Sequence, residues 1–482
     1  MEQKLSRKLG FGAAYGAAVG LVVSGSGMFA VGNVGGTVGY STFIVALIAL
    51  IPIMITALSF SELTAMLPGG GMISDYTIPA LGRFWGAFSL LSGYVMLVMA
   101  DGGTQLTMGG EAIGNLFGLN PWIFTIIIFA LVQLVNIFDV GIYGKVEMYL
   151  TLFMMLVFAL LAFSGFFHVG ESLVGAVPVN DGMAIIPEGG FATIMSCMGT
   201  GIWFYVGFEF TCPMAEENKK PYRNIPLALI LGTLTITVVN SVFSAASVRY
   251  TELEVLASSA LPHVEAAGNM MGTPGYIMMA TLTTLASFTT ANSYTAGLPR
   301  MLYGLSREGL LPKWFGEINP KTRTPVHGIL FVGGLMICTI AFLVVNGAAS
   351  DSITFLINVA CISWMSAYII AMIDVLVYRK RYPDYPRYFK MPAPHILVPI
   401  GIAGIAYAIY SMRAYILPSL IYMTLVVLYC FVWCKKKGFD LFTPKPLEEQ
   451  AQAIIDRTEY LEGWNEEVTA WIAKQKQKVG TT

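Results

Sequence analysis

Two glycine-rich stretches decide the fold: Ser24-Gly-Ser-Gly-Met-Phe29, and Gly199-Thr-Gly201 followed by Trp203-Phe-Tyr-Val-Gly-Phe-Glu209. They lie in the middle of two apolar runs, residues 10–36 and 190–214. Because Gly costs about 1 kcal/mol relative to Ala in a helix interior, both clusters predict local unwinding at membrane depth. The alternative interpretation, close packing of small residues between continuous helices, remains open.

The composition around these stretches is typical of a membrane protein. The 482 residues are 12% charged and 56% hydrophobic, whereas soluble domains are about 25% charged. This composition argues against soluble enzymes and disordered proteins. We predict an all-α integral membrane protein with twelve transmembrane helices, because twelve apolar runs are long enough to cross a bilayer. These runs are 10–36, 41–66, 84–112, 121–138, 142–167, 190–214, 226–248, 274–306, 326–345, 352–378, 395–412 and 415–434.

The charged and metal-binding residue types exclude several partners. A net charge of −1 provides no basic field for nucleic acid. The six cysteines form no CxxC pair and the four histidines have no metal-ligand spacing. We therefore predict no metal and no cofactor. The predicted partners are membrane lipid and a small solute, and the sequence does not predict the oligomeric state.

The basic residues predict the orientation. All of the 28 Lys and Arg residues except Arg249 and Arg413 fall on the side of the N-terminus. The positive-inside rule then predicts that both termini are cytoplasmic, with residues 1–9 preceding the first span and residues 437–482 forming a tail. From Leu447 onward, the apolar period in this tail predicts an amphipathic helix. This helix either packs on the cytoplasmic face or serves as a regulatory or partner-binding arm.

The interrupted runs are the first and the sixth, which are corresponding members of two sets of five. These sets are residues 10–167 and 190–378, and residues 395–434 add two further helices. The pattern is typical of an inverted-repeat transporter with its binding site at the membrane midplane. N–H groups at broken helix ends bind carboxylates, and exposed carbonyls attract ammonium groups or Na⁺. The predicted solute is therefore an amino acid or a related amine.

Within the third run, Asp101 stands alone as an ionisable residue in the stretch Leu97-Val-Met-Ala-Asp-Gly-Gly-Thr-Gln105. A lipid-exposed carboxylate there would cost about 3 kcal/mol or more, so Asp101 is expected to face the protein interior. Two interpretations remain open. Asp101 contacts a cationic substrate group or titrates during transport, or it pairs with polar groups between helices.

With these motifs the chain resembles the amino acid–polyamine–organocation (APC) transporter family, and within it the bacterial amino acid and amine exchangers. Besides the two glycine stretches, the motifs are Lys4-Leu-Ser-Arg-Lys-Leu-Gly10, Ser61-Glu-Leu-Thr-Ala-Met-Leu-Pro-Gly-Gly-Gly71, Asn224-Ile-Pro226, Ser306-Arg-Glu-Gly-Leu-Leu-Pro312 and Thr324-Pro325. The resemblance implies a bacterial plasma-membrane protein. It also implies the five-plus-five inverted repeat of the leucine-transporter type, with helices 1 and 6 broken.

The resemblance also implies roles for individual residues. The first break resembles the family's carboxylate-binding segment, and Val206 to Phe208 resemble the carbonyls that receive the amino group. Trp203 resembles an aromatic gate, with a core tryptophan as the alternative. Glu209 resembles an acidic residue that is either structural or exchanges a proton. Asp101 and Tyr294 correspond to positions facing the substrate side chain. The complete candidate substrate-binding set is Ser24, Gly25, Ser26, Gly27, Asp101, Thr104, Trp203, Tyr205, Val206, Gly207, Phe208 and Tyr294.

The coupling ion is left open by the resemblance. Some proton-dependent relatives carry a lysine in span 5, where this chain has Met154. Thr289 and Thr290 lie near the hydroxyl ligands of sodium-coupled relatives, although threonine hydroxyls more often bond to their own helix. Na⁺ coupling, H⁺ coupling and exchange without an ion all remain open.

The predicted function is a secondary active transporter of amino acids or related amines, working by alternating access. The alternatives are a Na⁺- or H⁺-coupled symporter of a cationic or quaternary amine, and a solute sensor that does not transport. We find no catalytic constellation in the sequence and expect no enzyme activity. The paired interrupted helices within one chain also argue against an ion channel.

Overall fold

The computed structural model describes the backbone of residues 7–138 and 143–480, and the side chains of residues 7–138 and 148–477. Predictions that involve Lys4 and the side chain of Lys145 lie outside these ranges. Within them the chain is all-helical, with one isolated β-bridge between Leu9 and Asn218. The predicted all-α class is confirmed.

The helices follow the predicted apolar runs closely. Eight helices of the described residues are long and apolar enough to cross a membrane, or nine with a bent pair at 190–216. The count of twelve remains a prediction. The helices are α1 (Phe11–Gly20), α2 (Gly25–Val38), α3 (Thr42–Met66), α4 (Ile73–Leu81), α5 (Arg83–Phe117), α6 (Pro121–Ile137), α7 (Tyr143–Phe166), α8 (Val169–Leu173), α9 (Gly190–Ser196), α10 (Met198–Trp203), the 3-10 helix α11 (Phe208–Glu216), α12 (Pro221–Tyr250), α13 (Leu253–Ser258), α14 (Pro262–Arg307), α15 (Val326–Asn346), α16 (Ser350–Arg381), α17 (Pro394–Ser411), α18 (Ile416–Lys437), α19 (Leu447–Arg457) and α20 (Trp464–Gly480).

Both predicted interruptions are present: the first lies just before its glycines, and the second lies after Gly199 and Gly201 but includes Gly207. In the first span the non-helical residues are 21–24, and Gly25 begins α2. In the sixth span, the axis bends by 50° between α9 and the segment Met198–Glu216. Residues 204–207 then separate α10 from α11. The prediction that Gly199 and Gly201 unwind the helix is wrong, because both lie within α10.

Gly199 and Gly201 are instead required for close packing. A Cβ on Gly199 would lie 2.3 Å from the side chain of Met412, and one on Gly201 would lie 2.6 Å from Val45. Such distances leave no room for a methyl group. At these two positions the small-residue interpretation therefore holds.

The eighth predicted span begins earlier than expected. The apolar run predicted a start at residue 274, whereas α14 begins at Pro262. Gly272 interrupts it with a φ of +64°, a backbone conformation that L-residues with side chains rarely adopt. Residues 262–271 therefore form a separate helical segment at the end of the span.

Contacts between the connecting segments divide them into two groups at opposite ends of the bundle. At the end that we call the terminal face, Leu9 pairs with Asn218, and the Phe84 N–H donates to Leu441 O at 2.9 Å. At the opposite face, Tyr40 donates to Asn180 O at 3.3 Å. This grouping agrees with the sides assigned from the basic residues. The direction of the terminal face in the membrane remains a prediction.

The C-terminal tail packs on the terminal face as two helices, α19 and α20, rather than one. Residues 458–463 separate them, and Gly463 has a φ of +78°. The residues of the predicted apolar period are all buried, namely Ala451, Ile454, Thr458, Leu461, Val468 and Ile472. The tail is therefore part of the folded protein.

Candidate substrate site

The first break places the N-terminus of α2 in the protein interior. Ser24 caps α2, because its Oγ accepts the Gly27 N–H at 3.0 Å. The Gly25 N–H donates to Gln105 Oε1 on α5, also at 3.0 Å. Ser24, Ser26 and Gln105 are all fully buried. The positive end of the helix dipole therefore meets polar groups away from bulk water.

Asp101 and Gln105 lie one helical turn apart and form a polar cluster with α2. Gln105 Nε2 donates to Ser26 Oγ at 2.7 Å and contacts both Asp101 carboxylate oxygens at 3.2 Å. Tyr294 on α14 donates its hydroxyl to Asp101 Oδ2 at 2.7 Å. Asp101 thus faces the protein interior as expected, beside the first break.

Trp203 joins this cluster from the second broken span. Its Nε1 donates to Ser26 Oγ at 3.2 Å, and its ring meets that of Trp364 edge-on at 6.3 Å. Trp203 is fully buried. The predicted aromatic residue therefore contacts the polar cluster directly from the end of α10.

Two predicted site residues direct their hydroxyls elsewhere. Thr104 donates to the backbone of its own helix at Ala100 O, at 2.7 Å. The Tyr205 hydroxyl donates to Ala46 O at 2.9 Å and also contacts Thr237. Among the hydrogen bonds of the described side chains, none joins either residue to the polar cluster.

The second break touches the first. Gly207 has a φ of +93°, and a Cβ placed on it would lie 1.8 Å from Leu21 Cδ2. Val206 and Phe208 on either side are buried, and the Phe208 ring meets that of Tyr368 at 5.8 Å. The backbone of the second interruption therefore packs directly against the Leu21 side chain of the first.

Glu209 lies just after the second break and is held by α16. Its carboxylate accepts the indole N–H of Trp364 at 2.8 Å and the hydroxyl of Tyr368 at 2.7 Å. Glu209 is fully buried. Both donors are neutral, so this carboxyl group lies in a hydrogen-bonded aromatic setting rather than in an ion pair.

The candidate sodium-site residues lie against the fifth span. Thr289 donates to Ala286 O at 3.1 Å and approaches Met154 Sδ at 3.9 Å. The Thr290 hydroxyl is buried, and within the described ranges it has no hydrogen-bond partner. The Thr151 hydroxyl is likewise buried without a hydrogen-bond partner among the described residues, and it lies beside Gly20, the last residue of α1. Sites that could hold a metal through His, Cys, Asp or Glu clusters are absent from the described residues.

A narrow cavity of about 40 Å³ reaches toward the breaks from the terminal face. The Phe210 ring stands at its inner end and meets the Tyr294 ring edge-on at 5.4 Å. At its outer end, Arg300 pairs with Glu217 at 3.0 Å. The lining residues are Ala13, Ala17, Leu21, Met148, Phe210, Pro213, Met214, Ser293, Ala296, Gly297 and Arg300.

Sequence reasoning missed four residues of this region. Gln105, Phe210, Arg300 and Trp364 were not among the candidates, although their contacts organise the site. The spacing of Gln105, four residues after Asp101 on one helix face, was a usable signal. The other three are brought in by tertiary contacts that no local pattern predicts.

Two broken helices that meet at a buried polar cluster are the architecture of a secondary transporter of the leucine-transporter type. The solved structure of Mhp1, a nucleobase-cation-symport-1 transporter in a closed conformation with bromovinylhydantoin bound, shares this fold. Its TM-score is 0.55 at 14% identity, over 93% of this chain and 97% of Mhp1.

The chain belongs to the amino acid permease family, whose model matches residues 9–439. The branched-chain amino acid permease BcaP of Bacillus subtilis is 22% identical over 471 residues, covering 90% of this chain and 94% of BcaP. The aspartate-proton symporter of the same organism is 25% identical over 468 residues, covering 90% and 84%. The resemblance is confirmed, and the protein is a multi-pass secondary transporter of amino acids or related compounds.

Proposed function

We propose that the protein carries an amino acid whose positive group faces Asp101, by alternating access around the two breaks. One observation carries this proposal: the amide of Gln105 bridges the Gly25 N–H and the Asp101 carboxylate. One side chain thus satisfies a donor at a helix N-terminus and an acceptor on the neighbouring helix.

The chemistry of that amide matches the chemistry of the proposed substrate. An amide carries its acceptor oxygen and its donor nitrogen on one carbon. An α-amino acid likewise carries its carboxylate and its ammonium group on one carbon. An amino acid that displaces Gln105 therefore keeps both ends of the site hydrogen-bonded. It also strengthens both bonds, because its two groups are charged.

The other candidate residues have consistent roles in this proposal. Residues 24–27 receive the carboxylate, and the carbonyls of residues 206–208 share the ammonium group with Asp101. The Tyr294 ring adds a face that attracts cations. Trp203 closes the site on one side and Phe210 on the other. Glu209 secures the second break through its two aromatic donors and is the candidate group for proton exchange.

The distribution of the basic residues supports one orientation of the protein in the membrane. We propose that the terminal face is cytoplasmic and that the membrane is a bacterial plasma membrane. The cavity lined by Ala13 and Arg300 is then the path to the cytoplasm. The protein performs no catalysis in this proposal.

Coupling to Na⁺ is a second candidate, and one observation favours it. The buried hydroxyls of Thr151 and Thr290 have no hydrogen-bond partner in the described part of the chain, and Gly20 ends α1 beside Thr151. Hydroxyl and carbonyl oxygens are suitable ligands for a hard cation. A Na⁺-dependent rise in melting temperature would support symport, and its absence would favour H⁺ coupling or exchange.

Counterflow in proteoliposomes tests the proposal and separates a carrier from a sensor. We compare Asp101→Asn with Glu111→Gln, the same change at another carboxylate of α5. Loss of a charged hydrogen bond costs about 1.5–3 kcal/mol, so Asp101→Asn should weaken substrate affinity about 10- to 150-fold. Glu111→Gln should leave affinity unchanged. Unchanged affinity, selectivity and pH dependence in a folded Asp101→Asn protein would remove Asp101 from the mechanism.

A further inference from the structure

The C-terminal tail is fixed to parts of the bundle that surround the cavity. Leaving α18, it pairs with the α4–α5 corner, where Phe84 N–H donates to Leu441 O at 2.9 Å. Lys445 then forms an ion pair with Glu308, after the end of α14, at 3.0 Å. These contacts anchor the first part of the tail before α19 begins.

Arg457, at the end of α19, joins two separate elements. Its Nη2 contacts Asp75 Oδ2 on α4 at 2.5 Å, and its Nε lies 3.4 Å from Glu216 Oε1 at the end of α11. Glu216 also accepts the Gly70 N–H at 2.7 Å. The Arg457 side chain is 14% exposed. A tail residue thus ties the half-helix after the second break to the α3–α4 corner.

Arg7 makes the corresponding connection on the N-terminal side. Its backbone N–H donates to Glu459 Oε2 at 2.9 Å, and its Nε donates to Glu459 O at 3.0 Å. Its Nη1 donates to Ala215 O and Asn218 O, at the end of α11. The segment before α1, the end of α11 and the tail therefore meet at one guanidinium group.

These attachments matter because α1 and α11 form two walls of the cavity. Ala13 and Ala17 line it from α1, whereas Pro213 and Met214 line it from α11. The opposite walls come from α7 and α14. Movement of α1 or α11 away from these walls would widen the cavity toward the breaks. The tail holds both at the terminal face.

We propose that the C-terminal tail is a clamp on this path, and that release of Arg457 from Glu216 favours its opening. The proposal builds on the transport function but does not depend on which solute is carried. The tail would set the rate of opening without entering the polar cluster of Asp101 and Gln105. It assigns the tail a regulatory role in addition to its packing role.

Cysteine labelling tests the clamp without any substrate, so its result is independent of the proposed solute. Ala296→Cys places a thiol on the α14 wall of the cavity, in a background with the exposed Cys338 replaced by Ser. Arg457→Gln is compared with Lys474→Gln, which changes an exposed basic residue of α20. We expect alkylation of the cavity thiol by a polar maleimide to be at least about threefold faster in Arg457→Gln and unchanged in Lys474→Gln.

A second variant keeps the test decisive if Arg457→Gln lowers the melting temperature. Glu216→Gln removes the charge that faces the tail while retaining an oxygen for the Gly70 N–H. Faster alkylation in this variant, together with faster counterflow, supports the clamp. Unchanged or slower alkylation in a folded variant of either residue overturns it, whatever the transport assay shows.

Discussion

Gly207→Ala tests the contact between the two breaks. Gly207 has a φ of +93°, and an added Cβ would lie 1.8 Å from Leu21 Cδ2. Left-handed backbone costs an L-residue about 1–2 kcal/mol, and an extra methyl group in a packed interior costs about 1–3 kcal/mol. Together these terms predict a loss of about 2–5 kcal/mol in the free energy of unfolding.

The control separates the two terms. Gly182 has a φ of +77°, and no atom lies within 4 Å of the position that a Cβ would occupy there. Gly182→Ala should therefore show at most the backbone cost, about 1–2 kcal/mol. Placing Gly207→Ala on a Leu21→Ala background should reduce its cost toward the same value, because the clashing side chain is absent.

Thermal unfolding of the purified protein in detergent measures these effects, and counterflow reports whether the breaks still work. We expect the melting temperature to fall clearly further for Gly207→Ala than for Gly182→Ala. Equal effects at the two glycines, or no relief from Leu21→Ala, would refute the close approach of the breaks.

Three further changes have defined outcomes. Thr290→Val should leave apparent stability unchanged or raise it by up to about 1 kcal/mol without Na⁺, and should abolish any Na⁺-dependent rise in melting temperature; a retained Na⁺ response contradicts the sodium site. Glu209→Gln should cost about 1–3 kcal/mol in thermal unfolding, because its new N–H₂ opposes a donor such as Trp364; a neutral effect contradicts the described hydrogen bonds. At the opposite face, a hydrogen bond from Tyr250 is the main cause that lowers the pKa of Glu171. The resulting stability is present above the ordinary Glu pKa and is lost as the pH falls through the lowered value. Tyr250→Phe should shift that loss to higher pH in melting curves, and an unshifted profile would count against the bond.

The first break was predictable to within a few residues from its chemistry. Glycines within an apolar run indicate an interruption, but they do not show that Ser24 caps a helix that resumes at once. In the structure α2 begins at Gly25, so the interruption is residues 21–24 and the glycines of the cluster are helical. The spans themselves were predictable because hydrophobic length is a local property.

The role of Gly199 and Gly201 was not predictable from local sequence. Unwinding glycines and packing glycines look alike until their neighbours are known. Here the neighbours are Met412 and Val45, both far away along the chain. Gln105 escaped notice for a related reason, because a neutral amide costs less in a membrane than a carboxylate and does not stand out.

The tail shows the same division between local and tertiary information. Its amphipathic period correctly predicted which residues are buried, including Ala451 and Ile454. The ion pairs of Arg457 with Asp75 and Glu216 join segments hundreds of residues apart. Periodicity identifies the buried face of a helix, but not the surface that it packs against.

Ser26 determines the direction of hydrogen bonding at the centre of the cluster. Its oxygen accepts from both Trp203 Nε1 and Gln105 Nε2, which occupies the two lone pairs of a hydroxyl. The Gly25 N–H donates to Gln105 Oε1, which fixes the orientation of that amide and leaves Nε2 as the donor to Ser26. The direction of both hydrogen bonds to Ser26 is therefore fixed. The remaining donor of Ser26 is its hydroxyl proton, which bonds to the Asp101 carboxylate. The first break is consequently organised before any solute arrives: its donors already bond to Gln105, Ser24 and Asp101, and an anionic group that enters must replace one of these acceptors.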